Sequence, residues 1–145
     1  MKDKLAALSG KSIFFLDRDG TLTLGDQLLP GANQLLDTLG KRGKLFYVLT
    51  NNSSKTPSEH FSRFKALGMH VSSENVLVSI QAALAYMKQK GYREIFWVAT
   101  AKQGQYIESS GFYYDETTPD ALLLTYDTEI TYQKLKKLTF LARKD

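Results

Sequence analysis

Cysteine is absent from this chain, which excludes a disulfide framework and any cysteine-ligated metal site and suits a reducing cytoplasm. No run of about eighteen apolar residues occurs, so no segment reads as a transmembrane helix. The opening Met1-Lys2-Asp3-Lys4 leads into no apolar core of the kind a secretory signal needs. Internal repeats, low-complexity tracts and a glycine-rich nucleotide loop are missing as well. Histidine occurs only twice, and His60 and His70 have no metal-like spacing, so both read as ordinary surface or boundary residues. A globular, intracellular, cytoplasmic protein is the expectation.

What is present agrees with a folded domain. Hydrophobic residues make up 43% of the 145 and aromatics 12%, so disorder is disfavoured, and a chain of this size buries about two thirds of its unfolded surface. The net charge of +4 gathers partly in Lys134, Lys136, Lys137, Arg143 and Lys144. Tyr132, Leu135, Leu138 and Leu141 recur there at near-helical spacing, so the cations read as the solvated side of an amphipathic helix. Without an aromatic-basic signature of a nucleic-acid reader, no nucleic-acid partner is expected, and no membrane partner either.

The chemistry concentrates in Ile13-Phe14-Phe15-Leu16-Asp17-Arg18-Asp19-Gly20-Thr21, where an apolar run enters two carboxylates and a glycine turn. Four apolar residues without alternation predict a strand buried on both faces, the habit of parallel sheets between helices. Ligands in such sheets bind beyond the carboxyl ends of the strands, where Asp17 and Asp19 fall. Asp17 is placed to attack phosphorus, and Asp19 to protonate a leaving oxygen and then deprotonate water. Two acids beside a phosphate need a cation, and Mg²⁺ suits carboxylate, carbonyl and water oxygens. Gly20 lets the chain leave the strand in a conformation that residues with a Cβ avoid. Asp-x-Asp-Gly also occurs in plain turns. A calcium loop fails on placement, since its sixth position needs Gly and its twelfth Glu, whereas this chain has Leu22 and Leu28 there. Strand alternation points Arg18 away from both acids, with no purpose visible.

A second near-apolar run, Lys44–Leu49, follows a helix-like segment, Gly31–Arg42, and closes on Thr50-Asn51-Asn52-Ser53-Ser54. Strand, helix, strand puts both strand ends at one crevice. Thr50 then offers its hydroxyl, and the amides after it their N–H groups, to phosphate oxygens. The same residues also suit a polar loop that caps the helix starting near Pro57.

Phe-Leu-Asp-Arg-Asp-Gly-Thr together with Leu-Thr-Asn-Asn-Ser resembles motifs one and two of the haloacid dehalogenase superfamily. The similarity is closest to its p-nitrophenyl phosphatase-like subfamily with a type-two cap, and it includes Leu29-Pro30-Gly31 and Thr118–Leu124. It implies an α/β fold, with a Rossmann-like parallel sheet in residues 1–90 and part of an α/β cap in residues 91–145. It implies Asp17 as nucleophile, Asp19 as general acid/base, and Thr50 and Asn51 as phosphate binders. Mg²⁺ would be held by the Asp17 side chain and the Asp19 carbonyl. The activity implied is Mg²⁺-dependent hydrolysis of a small phosphorylated metabolite through an aspartyl-phosphate, because the superfamily's dehalogenases lack the second acid and its P-type pumps carry Thr there. Caps of this type often mediate homodimers.

The superfamily also uses a motif-three Lys and a motif-four acidic metal ligand, and neither is found before Asp145. Lys134, Lys136, Lys137 and Lys144 are not assigned that role. The chain is therefore expected to be an amino-terminal fragment or truncation, weak or inactive alone, since losing such a cation costs about a thousand-fold or more in rate. The alternative is a non-catalytic relative, half of a split enzyme, or a binding and dimerising module.

Further along, Thr21–Leu24, Gly25-Asp26 and Gln27–Leu29 predict a hairpin with a two-residue turn. Helices are expected over 57–67, 81–89, 102–109 and 131–143, and strands over 76–78, 95–99 and 121–125. Tyr106, Tyr113, Tyr114 and Tyr126 read as packing residues in preference to pocket lining. Asp127, at a loop where the family's cap approaches the core, is a candidate substrate contact.

Overall fold

The computed structural model describes residues 8–143. The chain forms two compact units, one built from the residues up to Thr50 together with Pro57–Leu77, the other from Asn51–Thr56 and Val78 onward. Both are α/β units with parallel strand pairing, as the apolar runs and intervening helical patterns predict.

In the first unit β1 (Ile13–Asp17) pairs in parallel with β4 (Leu45–Thr50), Asp17 opposite Leu49. α1 (Ala32–Lys41) makes the crossover and contacts β4, burying Ala32, Leu36 and Leu39. These positions recur at helical spacing, so one stripe of α1 is apolar. β5 (Val76–Val78) lies on the far side of β4, giving the order β1-β4-β5. α2 (Pro57–Ala66) contributes Phe64 and His60, both fully buried, their rings 5.9 Å apart. His60 is thus interior, not surface or boundary: it sits one helical turn before Phe64 and shares its inward face. Between β1 and α1, β2 (Thr23–Leu24) and β3 (Gln27–Leu28) form the expected hairpin. Gly25 has φ +59° while Asp26 has no positive φ, which excludes a type I′ turn and leaves type II′.

β1 departs from expectation in its burial. Ile13, Phe15 and Leu45 are exposed, Phe15 to 63%. The doubly apolar pattern is there, but among the described residues one face of the sheet stays open.

In the second unit β6 (Glu94–Val98) is central, flanked in parallel by β7 (Tyr113–Tyr114) and β8 (Ala121–Leu124). The sequence reading assigns no strand to β7, because two exposed tyrosines carry no periodicity. Tyr114 packs on Phe96 and Trp97, at 5.4 and 4.8 Å between centroids, whereas Tyr113 and Tyr126 are exposed. α3 (Ser79–Gln89) and α4 (Ala101–Ser109) precede and follow β6, and α5 (Tyr132–Leu141) lies against it. Leu138 and Leu141 of α5 join Phe96, Val98 and Leu122 in one cluster. Tyr132 and Leu135, expected on the same buried stripe, are exposed together with Phe140. The helix is rotated so that Lys134 faces inward instead, where it meets Asp127. Among the described residues no helix is long and apolar enough to cross a membrane.

Candidate active site

Asp17 is the last residue of β1 and is exposed. The N–H of Arg18 donates to the Leu49 carbonyl at 3.0 Å, which carries the ladder one residue further and sets Asp17 and Arg18 alongside Leu49 and Thr50. Thr50, the last residue of β4, is buried. Both strands therefore end at the same edge of a parallel sheet, where ligands of such sheets bind.

The chain then turns sharply. The Arg18 carbonyl accepts from the N–H groups of Leu22 and Thr23, each at 3.0 Å, and Gly20 N–H donates to the Thr23 carbonyl at 2.8 Å. Gly20 has φ +82°, in the region a Cβ disfavours, so its place in the motif is conformational. The turn leaves the Asp19 side chain 59% exposed. Asp17, Asp19 and Thr50 are thus brought to one sheet edge within the first unit, two of them open to solvent.

Arg18 does not simply point away from the acids. It is 2% exposed, its Nη1 lies 3.4 Å from Asp19 Oδ1, and its guanidinium carbon stands 5.4 Å from the centre of the Phe64 ring. The alternation that predicts opposite directions holds only while the chain is a strand, and it ends at Asp17.

Asn51, next after Thr50, is exposed and belongs to the second unit. Its loop is anchored there. Gln103 Nε2 donates to the carbonyls of Ser53 and Lys55, both at 2.8 Å. Thr100 Oγ1 donates to the Ser54 carbonyl, and Ser53 Oγ accepts from Tyr126 N–H at 2.8 Å. Sequence reasoning missed Gln103, which is fully buried. A signal existed in Thr100-Ala-Lys-Gln103, the Ser/Thr-x-x-Gln pattern of a helix start, but here the Gln side chain bonds the loop.

Asp127 is also committed to its surroundings. Its Oδ1 accepts from Glu129 N–H at 2.8 Å and its Oδ2 from Lys134 Nζ at 2.7 Å, while Nζ also donates to the Ala99 and Glu129 carbonyls. That is the arrangement of a satisfied buried ion pair.

Among the described residues no group of three or more His, Cys, Asp or Glu could form a metal cage. The donors that the sheet edge exposes are the Asp17 and Asp19 carboxylates. That set fits Mg²⁺, which keeps several waters and takes one or two carboxylates plus a phosphate, better than it fits a metal needing a complete protein shell.

A strand that runs into Asp-x-Asp-Gly, beside a parallel strand that runs into Thr-Asn, points to the class: the chain belongs to the haloacid dehalogenase-like hydrolase family, matching it over residues 14–113. It is 31% identical over 104 residues to the chloroplastic phosphoglycolate phosphatase 1A of Arabidopsis thaliana, covering 70% of this chain and 29% of that protein. It is 28% identical over 133 residues to the acid sugar phosphatase of Staphylococcus haemolyticus, covering 90% of this chain and 51% of the relative. Among solved structures, the 4-nitrophenylphosphatase of Thermotoga maritima superposes with a TM-score of 0.87 at 36% identity, over 94% of this chain and 53% of its own. The chain spans about half the length, or less, of these relatives.

Proposed function

We propose that the protein hydrolyses a small phosphomonoester through a phosphorylated aspartate. The observation that carries this reading is the pair of exposed carboxylates, Asp17 and Asp19, at the end of β1 beside Thr50 at the end of β4. Its relatives named phosphoglycolate phosphatase, acid sugar phosphatase and 4-nitrophenylphosphatase support the reaction class. Residues 1–90 would form the core part and 91–145 a partial α/β cap, which would select the substrate and mediate a homodimer.

In the first half-reaction a carboxylate oxygen of Asp17 attacks phosphorus, the bond from phosphorus to the ester oxygen breaks, and the protonated Asp19 gives its proton to the departing oxygen. In the second, Asp19 takes a proton from water, the water oxygen attacks phosphorus, and the acyl phosphate bond breaks to release phosphate and restore the Asp17 carboxylate. The Thr50 hydroxyl and Asn51 would hold the phosphate oxygens, whereas the N–H groups of Ser53 and Ser54 are taken up within the loop by the Asn51 carbonyl and Asn52 Oδ1. Mg²⁺, held by the Asp17 side chain and the Asp19 carbonyl, would offset the repulsion between an anionic nucleophile and an anionic substrate.

Hydrolysis of p-nitrophenyl phosphate tests the proposal. Weak, Mg²⁺-dependent release of p-nitrophenolate that disappears in Asp17→Asn is the expected result, the low rate following from the absence of the motif-three Lys and motif-four acid. Activity unaffected by chelation, or surviving in Asp17→Asn, would refute it.

A further inference from the structure

Arg18 has no part in the proposed chemistry, yet it is 2% exposed. A guanidinium is rarely buried so deeply unless it is fully paired, because desolvating it costs several kcal/mol. This one is not fully paired. Its Nε has no hydrogen-bond partner, the Phe64 ring lies beneath it, and the carboxylate it meets, Asp19, is reached through Nη1 at 3.4 Å. A pair formed for stability would be shorter and bidentate, and an apolar side chain would cover Phe64 at less cost. Stability therefore does not account for this cation.

Its position does. Arg18 touches one oxygen of the acid that must stay free to give and take protons, next to the metal ligands assigned above. A carboxylate bound to a divalent cation is pinned and acceptor-only. We propose that Arg18 is a positioning residue that holds the Asp19 carboxylate out of the metal's coordination shell, leaving the Asp19 carbonyl to the metal and its carboxyl to proton transfer. This rests on the metal reading under Proposed function.

The test is Mn²⁺ binding followed by electron paramagnetic resonance on the folded protein, with no turnover required. Arg18→Met is expected to bind Mn²⁺ about tenfold more tightly than wild type, as its freed neighbour enters the shell. Adding Asp19→Asn should return the affinity to the wild-type value. Unchanged affinity in Arg18→Met overturns the inference alone, and so does a gain that survives Asp19→Asn, which would be simple charge repulsion. If neither wild type nor Arg18→Met binds Mn²⁺, the metal reading falls and the inference with it. Should Arg18→Met fail to fold, Arg18→Gln removes the charge while keeping a polar side chain above Phe64, and the same comparison applies.

Discussion

At the scale of single residues, the site sets exposed acids against a buried support. Asp17 and Asp19 face solvent, whereas Arg18 between them is enclosed and Phe64 beneath it is 0% exposed. Phe64 lies in α2, so the residue that floors the motif comes from more than forty positions along the chain. Phe64→Ala is expected to cost about 3–5 kcal/mol from lost burial and an unfilled cavity, read by denaturant unfolding. It also removes the ring beneath Arg18, so Phe64→Ala should cost less in an Arg18→Met background than in the wild type. Equal costs in the two backgrounds would mean that the cation–π contact adds nothing. The two acids, Gly20 and Thr50 were legible because strand, turn and carboxylate are local patterns. Arg18 was not, since its direction is decided by a turn and its partner by tertiary packing.

Elements carry the next level of support. The loop after Thr50 is held by α4 through Gln103, whose two hydrogen bonds satisfy the Ser53 and Lys55 carbonyls. Gln103→Leu leaves both acceptors without that donor, and a cost of about 1–3 kcal/mol is expected, with faster hydrogen exchange confined to residues 51–56. Exchange unchanged in that loop would show that the anchor lies elsewhere. β8 is fixed to β6 differently. Asp120 Oδ2 accepts from the N–H groups of Arg93 and Glu94, and these bonds lower its pKa below the ordinary 3.8. A carboxylate with a depressed folded value contributes stability that is present above the unfolded pKa and is lost as pH falls through the folded one. Stability should therefore decline as pH drops below about 3.8, and Asp120→Asn should flatten that decline. An identical acid profile in the variant would exclude this linkage. The strand–helix order was legible from apolar runs and glycine stops. Neither β7 nor the rotation of α5 was, because two tyrosines carry no period and a stripe at helical spacing does not say which of its residues find a partner.

For the whole molecule, two units share one pattern of parallel strands with helices between them, and each keeps an apolar face in the open. Ile13, Phe15 and Leu45 form one such face on β1 and β4, and Tyr132, Leu135 and Phe140 another on α5. The sequence reads the first as a strand buried on both faces, and Tyr132 and Leu135 as part of the apolar side of a helix, while it does not single out Phe140. A sequence pattern records that a face is apolar, whereas burial depends on what covers it. Family membership rests on the match over residues 14–113, whereas the proposed function turns on one claim, that Asp17 becomes phosphorylated. The most direct test is to quench the protein in acid during turnover of p-nitrophenyl phosphate with Mg²⁺ and locate the phosphoryl group by peptide mass spectrometry. A phosphoryl adduct on Asp17, absent from Asp17→Asn, is the predicted result. Turnover without an adduct on Asp17, or with the adduct on another residue, would contradict it.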